Sequence, residues 1–268
     1  MYSRFFCYLH IVVYSIYWRI IMSKKIVAHR GIPTLAPENT MASFNTVADC
    51  DVKWIETDLS ITKDEQVFVI HDDKLDRTTN ISGSIETVDS SEVKTADAGY
   101  WFAEKFRGEK VPTLDQLIDF LNIHKINANI ELKGVVGDNA NYLADKLVEK
   151  FAKALDRLDD QVELIISSFN PIMLEKMYQL KPDLKYAVLF SKATLGDDWN
   201  LVMQACHAKI VHPDSNGLTE AKVKKMKDYG YEINVWTVDD INRAQELLSW
   251  GVDGVITNIA DRMLFLEK

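Results

Sequence analysis

Residues 53–71, KWIETDLSITKDEQVFVIH, contain two predicted strands joined by a very short connection. The strands are expected at 53–59 and 66–71, and the connection is TKDE at 62–65. Four residues are too few for a parallel crossover and favour an antiparallel hairpin. One of the two strands is therefore expected to pair antiparallel beside whatever sheet the rest of the chain forms.

The remainder of the chain alternates short apolar runs with longer amphipathic patterns. With the hairpin included, nine strands are predicted, at 26–29, 53–59, 66–71, 128–132, 163–168, 185–190, 209–212, 231–236 and 253–257. Helices are predicted at 114–124, 140–156, 171–180, 219–229 and 240–250. This alternation indicates a parallel α/β fold, either a barrel or a doubly wound sheet covered on both faces. Nine strands are one too many for an eight-stranded barrel, and the hairpin accounts for the extra one.

Composition excludes several classes of protein. The 268 residues carry 31 Lys and Arg against 40 Asp and Glu, and the net charge of −9 argues against a nucleic-acid-binding protein. Cys7, Cys50 and Cys206 are widely spaced, so neither a disulfide framework nor a thiolate zinc site is predicted, and a reducing compartment suits them. No linker rich in Pro, Ser or Gly divides the chain, which indicates one domain at 22–268.

The N-terminal residues differ from the rest. Residues 5–18 are apolar at 12 of 14 positions. This run is shorter than a bilayer-spanning helix, which needs about 20 residues. No small-residue cleavage site follows it. We expect residues 1–21 to be a gene-model extension upstream of a start at Met22, which predicts a cytoplasmic protein. The alternatives are a secretory signal and a hydrophobic membrane anchor at 5–21.

Charged residues end several of the predicted strands. They are His29, Arg30, Glu56, Asp58, His71, Glu131 and Lys133. Because catalytic groups of a barrel collect at the carboxyl ends of its strands, we expect these side chains to share one site. A turn that pairs residue 62 with residue 65 places His71 opposite Glu56.

Glu56, Asp58 and Glu131 predict a cation site. Glu56 and Asp58 lie two apart on a strand and therefore project from one face. Carboxylates this close raise each other's pKa unless positive charge lies among them, and a divalent cation, Mg²⁺ or Ca²⁺, supplies it most simply. The alternative is that these acids form ordinary salt bridges with Arg30 or Lys133.

His29 and His71 suit a general acid and a general base beside that cluster. Arg30 and Lys133 supply positive charge for an anionic, tetrahedral substrate. Together with a cation these groups predict cleavage of a phosphate ester, whereas a glycosidase needs two carboxylates that are free of metal. Trp236 is expected either to plug the barrel or to form a wall of the substrate pocket.

The motifs that contain these residues resemble the glycerophosphodiester phosphodiesterase family, and in particular its bacterial cytosolic members. In chain order they are AHRG (28–31), APENT (36–40), ETD (56–58), VIHDD (69–73), LDRTTN (75–80), DAGYWF (97–102), VPTL (111–114), NIELK (129–133), SSF (167–169) and VWTV (235–238). The match runs in order from about residue 26 to residue 258. Glu65 departs from the family pattern, which often has Gly at this turn position.

The resemblance implies a distorted (β/α)8 TIM barrel of the phospholipase C-like phosphodiesterase type, with residues 72–112 as an insertion beside the active site. It implies metal-dependent hydrolysis of glycerophosphocholine, glycerophosphoethanolamine and similar diesters to sn-glycerol 3-phosphate and an alcohol. Its implied site residues are Glu56, Asp58 and Glu131 for one divalent cation, His29 and His71 for acid–base catalysis, and Arg30 and Lys133 for phosphate. Side chains expected to line the pocket are Glu38, Tyr100, Trp101, Phe102 and Trp236.

Two alternatives use the same residues. The first is lysophospholipase D-like or sphingomyelinase D-like action on membrane lipids, which a genuine apolar segment at 5–21 would favour. The second is a barrel that binds phosphodiesters without catalysis, presented from a membrane anchor.

Overall fold

The computed structural model of the protein describes residues 24–267. Among these residues, none of the helices combines the length and the apolar character needed to cross a membrane. The predictions about residues 1–21, including an anchor at 5–21, lie outside the described residues and stay predictions.

Nine strands form one sheet, and eight of them are parallel. The strands are β1 Lys25–His29, β2 Trp54–Ile61, β3 Val67–Val69, β4 Asn127–Leu132, β5 Leu164–Ser168, β6 Lys185–Phe190, β7 Ile210–Pro213, β8 Glu232–Val235 and β9 Gly254–Thr257. Their order is β1-β9-β8-β7-β6-β5-β4-β2-β3, and β1 also pairs with β2. This last pairing closes the eight parallel strands into a ring, so the predicted (β/α)8 barrel is confirmed.

Helices follow or precede most of the strands. They are α1 Met41–Asp49, α2 Ser90–Thr95, α3 Leu114–His124, α4 Ala140–Ala154, α5 Pro171–Leu180, α6 Trp199–Ala205, α7 Glu220–Asp228 and α8 Ile241–Ser249. Helix α3 begins at a capping box in which Thr113 accepts a hydrogen bond from the Gln116 N–H and Gln116 reaches back to Thr113. Such local signals explain why α3 and α5 have the predicted bounds, whereas α1, α2 and α6 were not among the predicted helices.

The hairpin formed by β2 and β3 is antiparallel as predicted, but its register differs by one residue. Leu59 pairs with Val69 and Ile61 with Val67, so residue 62 lies opposite residue 66 and the predicted pairing of 62 with 65 is wrong. Glu65 explains the shift, because its φ of 63° is in the left-handed region that completes a three-residue hairpin loop. A glycine would adopt this conformation without strain.

The interior of the barrel is apolar below the carboxyl ends of the strands. The side chains that pack there are Val27, Trp54, Ile165, Ala187, Ile210 and Ile256. Side chains two positions further along a strand project to the same face, so His29, Glu56 and His212 also point into the barrel. The pleat of the strands therefore places a polar layer directly above an apolar one.

His212 belongs to this polar layer and is completely buried. Its Nε2 lies 3.2 Å from Asn234 Nδ2, and burial lowers the pKa of His212 to about 3. An unfolded histidine takes up a proton near pH 6.5, so below that pH the unfolded state binds more protons than the folded state. The folded protein is thus expected to lose stability as the pH falls from about 6.5 towards about 3.

Replacing His212 with Gln is expected to remove the loss of stability at low pH that this histidine causes. Between about pH 7.5 and about pH 5, the wild type should lose about 2 kcal/mol more unfolding free energy than the variant. Urea unfolding at the two pH values measures the difference. His124→Gln, at an exposed histidine, is the control and should behave as the wild type. Equal losses in wild type and His212→Gln would contradict the prediction.

Candidate active site

A cavity of about 70 Å³ opens at the carboxyl ends of the barrel strands. Its lining residues are His29, Arg30, Glu56, His71, Asn129, Glu131, Phe169, Leu189, Trp236, Thr237 and Ile256. A larger groove of about 560 Å³ lies outside the barrel, against the hairpin and helices α3 and α4, but it contains none of the strand-end residues. We take the smaller cavity as the site because it collects six of the predicted side chains.

Strand β1 is followed by two residues with left-handed backbone conformation, Arg30 with φ 56° and Gly31 with φ 89°. A Cβ at Gly31 would lie 2.1 Å from Ser43 Oγ, so only glycine fits against α1 here. The Arg30 N–H donates to the Glu56 backbone carbonyl at 2.8 Å and lies 3.1 Å from Glu56 Oε2. This turn directs the Arg30 side chain across the mouth of the barrel.

Three buried carboxylates meet beside this turn. Glu56, Asp58 and Glu131 each offer an oxygen, and the three oxygens lie within 4.8 Å of one another. Burial and the Asp58 charge raise the pKa of Glu56 well above its ordinary value and the pKa of Glu131 to about 7. Asp58 Oδ1 is buried and has no hydrogen-bond partner within residues 24–267. A set of buried carboxylate oxygens with an unused acceptor fits a hard divalent cation.

Arg30 and Lys133 flank the cluster. Lys133 Nζ lies 2.7 Å from Glu131 Oε1 and 3.8 Å from Asp58 Oδ1, and Arg30 Nε lies 3.5 Å from Asp58 Oδ2. Burial opposes ionisation of Asp58, but the charges of Arg30 and Lys133 outweigh it and lower its pKa. The acids therefore do form salt bridges with Arg30 and Lys133, as the alternative to a cation site predicted. The two basic side chains leave one of the three carboxylate charges without a counter-charge.

His29 is held from the side opposite the cluster. Its Nδ1 lies 2.7 Å from Asn258 Oδ1, and Asn258 is fixed in turn by Asp239, to which its Nδ2 donates at 2.7 Å. The free Nε2 lies 3.9 Å from Glu56 Oε2. Burial and the Arg30 charge lower the pKa of His29 to about 4, so the ring is neutral at pH 7 and can accept a proton.

His71 is held by a carboxylate instead of an amide. Its Nδ1 lies 2.6 Å from Asp72 Oδ1, and Asp72 accepts hydrogen bonds from Arg77 at 2.6 and 3.0 Å. Burial lowers the pKa of His71 despite the nearby Asp58 charge. With Nδ1 engaged in both histidines, each presents Nε2 for proton transfer.

An apolar wall faces these charged groups. The rings of Phe169 and Trp236 meet edge to face with centroids 5.5 Å apart, and Trp236 Nε1 donates to the His212 carbonyl at 2.8 Å. Trp236 packs against the apolar cluster inside the barrel and also lines the cavity, so its position is compatible with both expected roles.

Four predicted pocket residues lie elsewhere among the described residues. Glu38 is behind Arg30, to which it is hydrogen bonded at 2.9 Å. Tyr100, Trp101 and Phe102 are absent from the cavity lining because their rings are engaged within the insertion. The contacts concerned are Arg107 against the Tyr100 ring at 3.8 Å and edge-to-face packing of Phe102 with Trp101 and Phe106.

Several side chains to which the sequence analysis gave no catalytic or ligand role also support the site. Asn39 donates to Asp58 Oδ2 at 2.8 Å and accepts from Thr57 at 2.7 Å. Asn258 follows the last strand, and its place at a strand end is a signal that could have identified it. Asn129 lines the cavity, and its buried Oδ1 has no hydrogen-bond partner in the described part of the chain.

Comparison with known proteins agrees with this geometry. Residues 29–262 match the model of the glycerophosphoryl diester phosphodiesterase family. A glycerophosphodiester phosphodiesterase of Caldanaerobacter subterraneus is 33% identical over 92% of this chain and 99% of its own length. One from Bacillus subtilis is 32% identical over 90% of this chain and 86% of its own length.

A solved structure of similar fold supports the same assignment. It is an Oleispira antarctica phosphodiesterase in complex with the product sn-glycerol 3-phosphate, with a TM-score of 0.85 and 26% identity over 90% of this chain and 96% of that chain. Family membership favours an enzyme over a barrel that only binds phosphodiesters. The chain therefore belongs to the glycerophosphoryl diester phosphodiesterase family, a family of phosphodiester-hydrolysing enzymes.

Proposed function

We propose that the protein hydrolyses glycerophosphocholine, glycerophosphoethanolamine and similar diesters to sn-glycerol 3-phosphate and an alcohol, with the aid of one divalent cation. The observation that carries the proposal is a cavity lined by two carboxylates, two imidazoles and Arg30. Asp58 and Lys133 do not line it, but both contact side chains that do. The related Oleispira enzyme was solved with sn-glycerol 3-phosphate, which supports the proposed product.

Glu56, Asp58 and Glu131 would hold the cation, Mg²⁺ or Ca²⁺. When bound, it supplies positive charge that stabilises the phosphoryl oxygens as negative charge develops on them. The raised pKa of Glu56 and of Glu131 indicates that these buried charges need such compensation.

Arg30 and Lys133 are the proposed phosphate-binding groups. Arg30 Nε is buried and has no hydrogen-bond partner among the described residues, which leaves a donor directed into the charged part of the site. Lys133 has three N–H donors and contacts Glu131 with one of them. Both side chains can therefore bind phosphate oxygens without losing the carboxylates that orient them.

His29 and His71 are proposed to transfer the protons. One imidazole removes a proton from the nucleophile, which is either water or the neighbouring glycerol hydroxyl. The other donates a proton to the alkoxide that leaves when the phosphorus–oxygen bond breaks. Attack by the glycerol hydroxyl forms a cyclic phosphate, which water then opens to sn-glycerol 3-phosphate. General acid–base catalysis of this kind contributes about 10²- to 10⁴-fold to the rate.

A product assay tests the substrate assignment. The full-length chain, incubated with glycerophosphocholine and Mg²⁺, is expected to release choline and sn-glycerol 3-phosphate, measured enzymatically through glycerol-3-phosphate dehydrogenase. Lysophosphatidylcholine is the comparison substrate. Absence of sn-glycerol 3-phosphate with both Mg²⁺ and Ca²⁺ would contradict the proposal.

A second candidate is lysophospholipase D-like action on a substrate with an acyl chain. The specific observation is that Phe169 lines the cavity yet is 44% exposed, and Ile172, three residues later, is 65% exposed. Exposed apolar side chains next to a site suit an apolar ligand. Faster release of choline from lysophosphatidylcholine than from glycerophosphocholine in the same assay would favour this candidate.

A further inference from the structure

Arg77 lies between two carboxylates that come from different loops. Its Nη1 and Nη2 donate to Glu38 Oε2 and Oε1 at 2.8 and 2.7 Å. Its Nε and Nη2 donate to Asp72 Oδ2 and Oδ1 at 2.6 and 3.0 Å. The guanidinium therefore grips both carboxylates with two hydrogen bonds each, an arrangement that its planar fork allows and a lysine does not.

Each of these carboxylates contacts a side chain of the active site. Asp72 Oδ1 lies 2.6 Å from His71 Nδ1, and Glu38 Oε1 accepts from Arg30 Nη1 at 2.9 Å. A continuous series of hydrogen bonds thus runs from His71 through Arg77 to Arg30. Arg77 is absent from the cavity lining and its side chain is 45% exposed, so direct contact with substrate does not explain its position.

The backbone around Arg77 is firmly attached to the protein. Leu75 is completely buried, and Thr79 Oγ1 donates to the Leu75 carbonyl at 2.7 Å. Asp76 accepts from the Gly83 N–H at 3.1 Å. The turn that carries the guanidinium is therefore anchored on both sides of residue 77.

These four hydrogen bonds form a bidentate network that can contribute to stability, so folding has to be measured beside activity. Their consequence is geometric. A displacement of a catalytic group by about 1 Å can cost about 100-fold in rate. The hydrogen bonds from Arg77 also lower the pKa of Asp72, which keeps this carboxylate an acceptor for the His71 ring.

We propose that Arg77 is a positioning residue that couples the two halves of the site, since it orients His71 through Asp72 and Arg30 through Glu38. The proposal rests on the proposed function. The contacts from Arg77 through Asp72 to His71 are expected to affect the rate of the chemical step. The contacts through Glu38 to Arg30 are expected to affect binding of the phosphodiester.

Steady-state kinetics on glycerophosphocholine test the coupling. Arg77→Ala is expected to lower kcat/KM by about 10- to 100-fold, the usual cost of removing a side chain that orients active-site groups. Asp72→Asn should mainly lower kcat, Glu38→Gln should mainly raise KM, and Arg77→Ala should do both. A purely structural role would change the amount of folded protein without producing this division.

Arg107→Ala is the matched control. Arg107 lies in the same insertion, is 55% exposed and also grips one carboxylate, Glu104, at 2.7 and 2.9 Å. It has no hydrogen bond to a side chain of the site among the described residues. Arg107→Ala is expected to keep wild-type kcat and KM.

Chemical rescue separates positioning from folding. Guanidinium at about 10 mM, far below the molar concentrations that unfold proteins, should restore part of the activity of Arg77→Ala and leave Arg107→Ala unchanged. Should Arg77→Ala not fold, Arg77→Lys replaces it, because it keeps the charge but cannot grip both carboxylates. This second variant should melt near the wild-type temperature and still lose about 10-fold in kcat/KM.

Two results would overturn the coupling. One is an Arg77→Ala or Arg77→Lys variant with the same kinetics as Arg107→Ala. The other is a loss of activity that follows only the loss of folded protein and does not respond to guanidinium. An inactive wild-type chain in the same assay would instead contradict the proposed function, and the coupling with it.

Discussion

His71→Ala is expected to lower kcat on glycerophosphocholine by about 10²- to 10⁴-fold, while the protein remains folded. Removing the imidazole removes one of the two groups that move protons, and Asp72 loses the partner at 2.6 Å that it orients. The His71 side chain is 31% exposed, so its truncation leaves no large cavity in the core. Release of sn-glycerol 3-phosphate measures the activity, and thermal unfolding measures the fold.

His29→Ala is expected to lower kcat by a similar factor, because each histidine carries out a different proton transfer in the same reaction. Groups that act as a unit are not additive, so the double variant should be little slower than either single variant. His124→Ala, at an exposed histidine on α3, is the control and should retain wild-type turnover. Turnover of His71→Ala within about 10-fold of wild type would remove His71 from the acid–base pair.

Removal of divalent cations is expected to abolish activity, with a loss of at least about 10³-fold, and added Mg²⁺ or Ca²⁺ should restore it. Without a cation, the carboxylates of Glu56, Asp58 and Glu131 face an anionic substrate and repel it. Exhaustive dialysis against EDTA, checked by elemental analysis, followed by addition of each cation measures the effect. Full activity in protein shown to be free of metal would contradict the prediction.

Binding of the divalent cation can be measured independently of catalysis. A cation present at about 100 times its Kd should stabilise the folded protein by about 2.7 kcal/mol, seen as a rise in Tm. Asp58→Asn keeps the side-chain shape but removes a central charge, so this rise should disappear. Glu163→Gln, at an exposed acid that pairs with Lys185, is the control and should keep it. A normal rise in Tm for Asp58→Asn would exclude Asp58 as a ligand.

Local signals explain which elements could be predicted. All nine strands were predicted from short apolar runs, and α3 and α5 have their predicted bounds. The register of the hairpin was wrong by one residue because it depends on the left-handed conformation of Glu65. Glycine or asparagine would have signalled that conformation, whereas glutamate does not.

The strand-end residues of the candidate site could be predicted from the sequence, but the side chains that hold them could not. Residues at strand ends could be identified because the carboxyl ends of parallel strands share one face of a barrel. Their supporting partners could not, since the contact of His29 with Asn258 spans 229 positions and that of Glu38 with Arg77 spans 39. The aromatic residues at 100–102 do not line the cavity, since their rings contact one another and neighbours within the insertion, so a pocket role for them stays a prediction.

The sequence by itself determined the α/β class, the hairpin at 53–71 and the polar residues that end the strands. These features depend on periodicity and on contacts between neighbours in the chain, which one sequence displays directly. Only the tertiary structure decided that β1 pairs with both β2 and β9, which closes the barrel. Closure brings the first and last strand ends together, which is why His29 meets Asn258 and why the scattered acids, histidines and basic residues meet at one site.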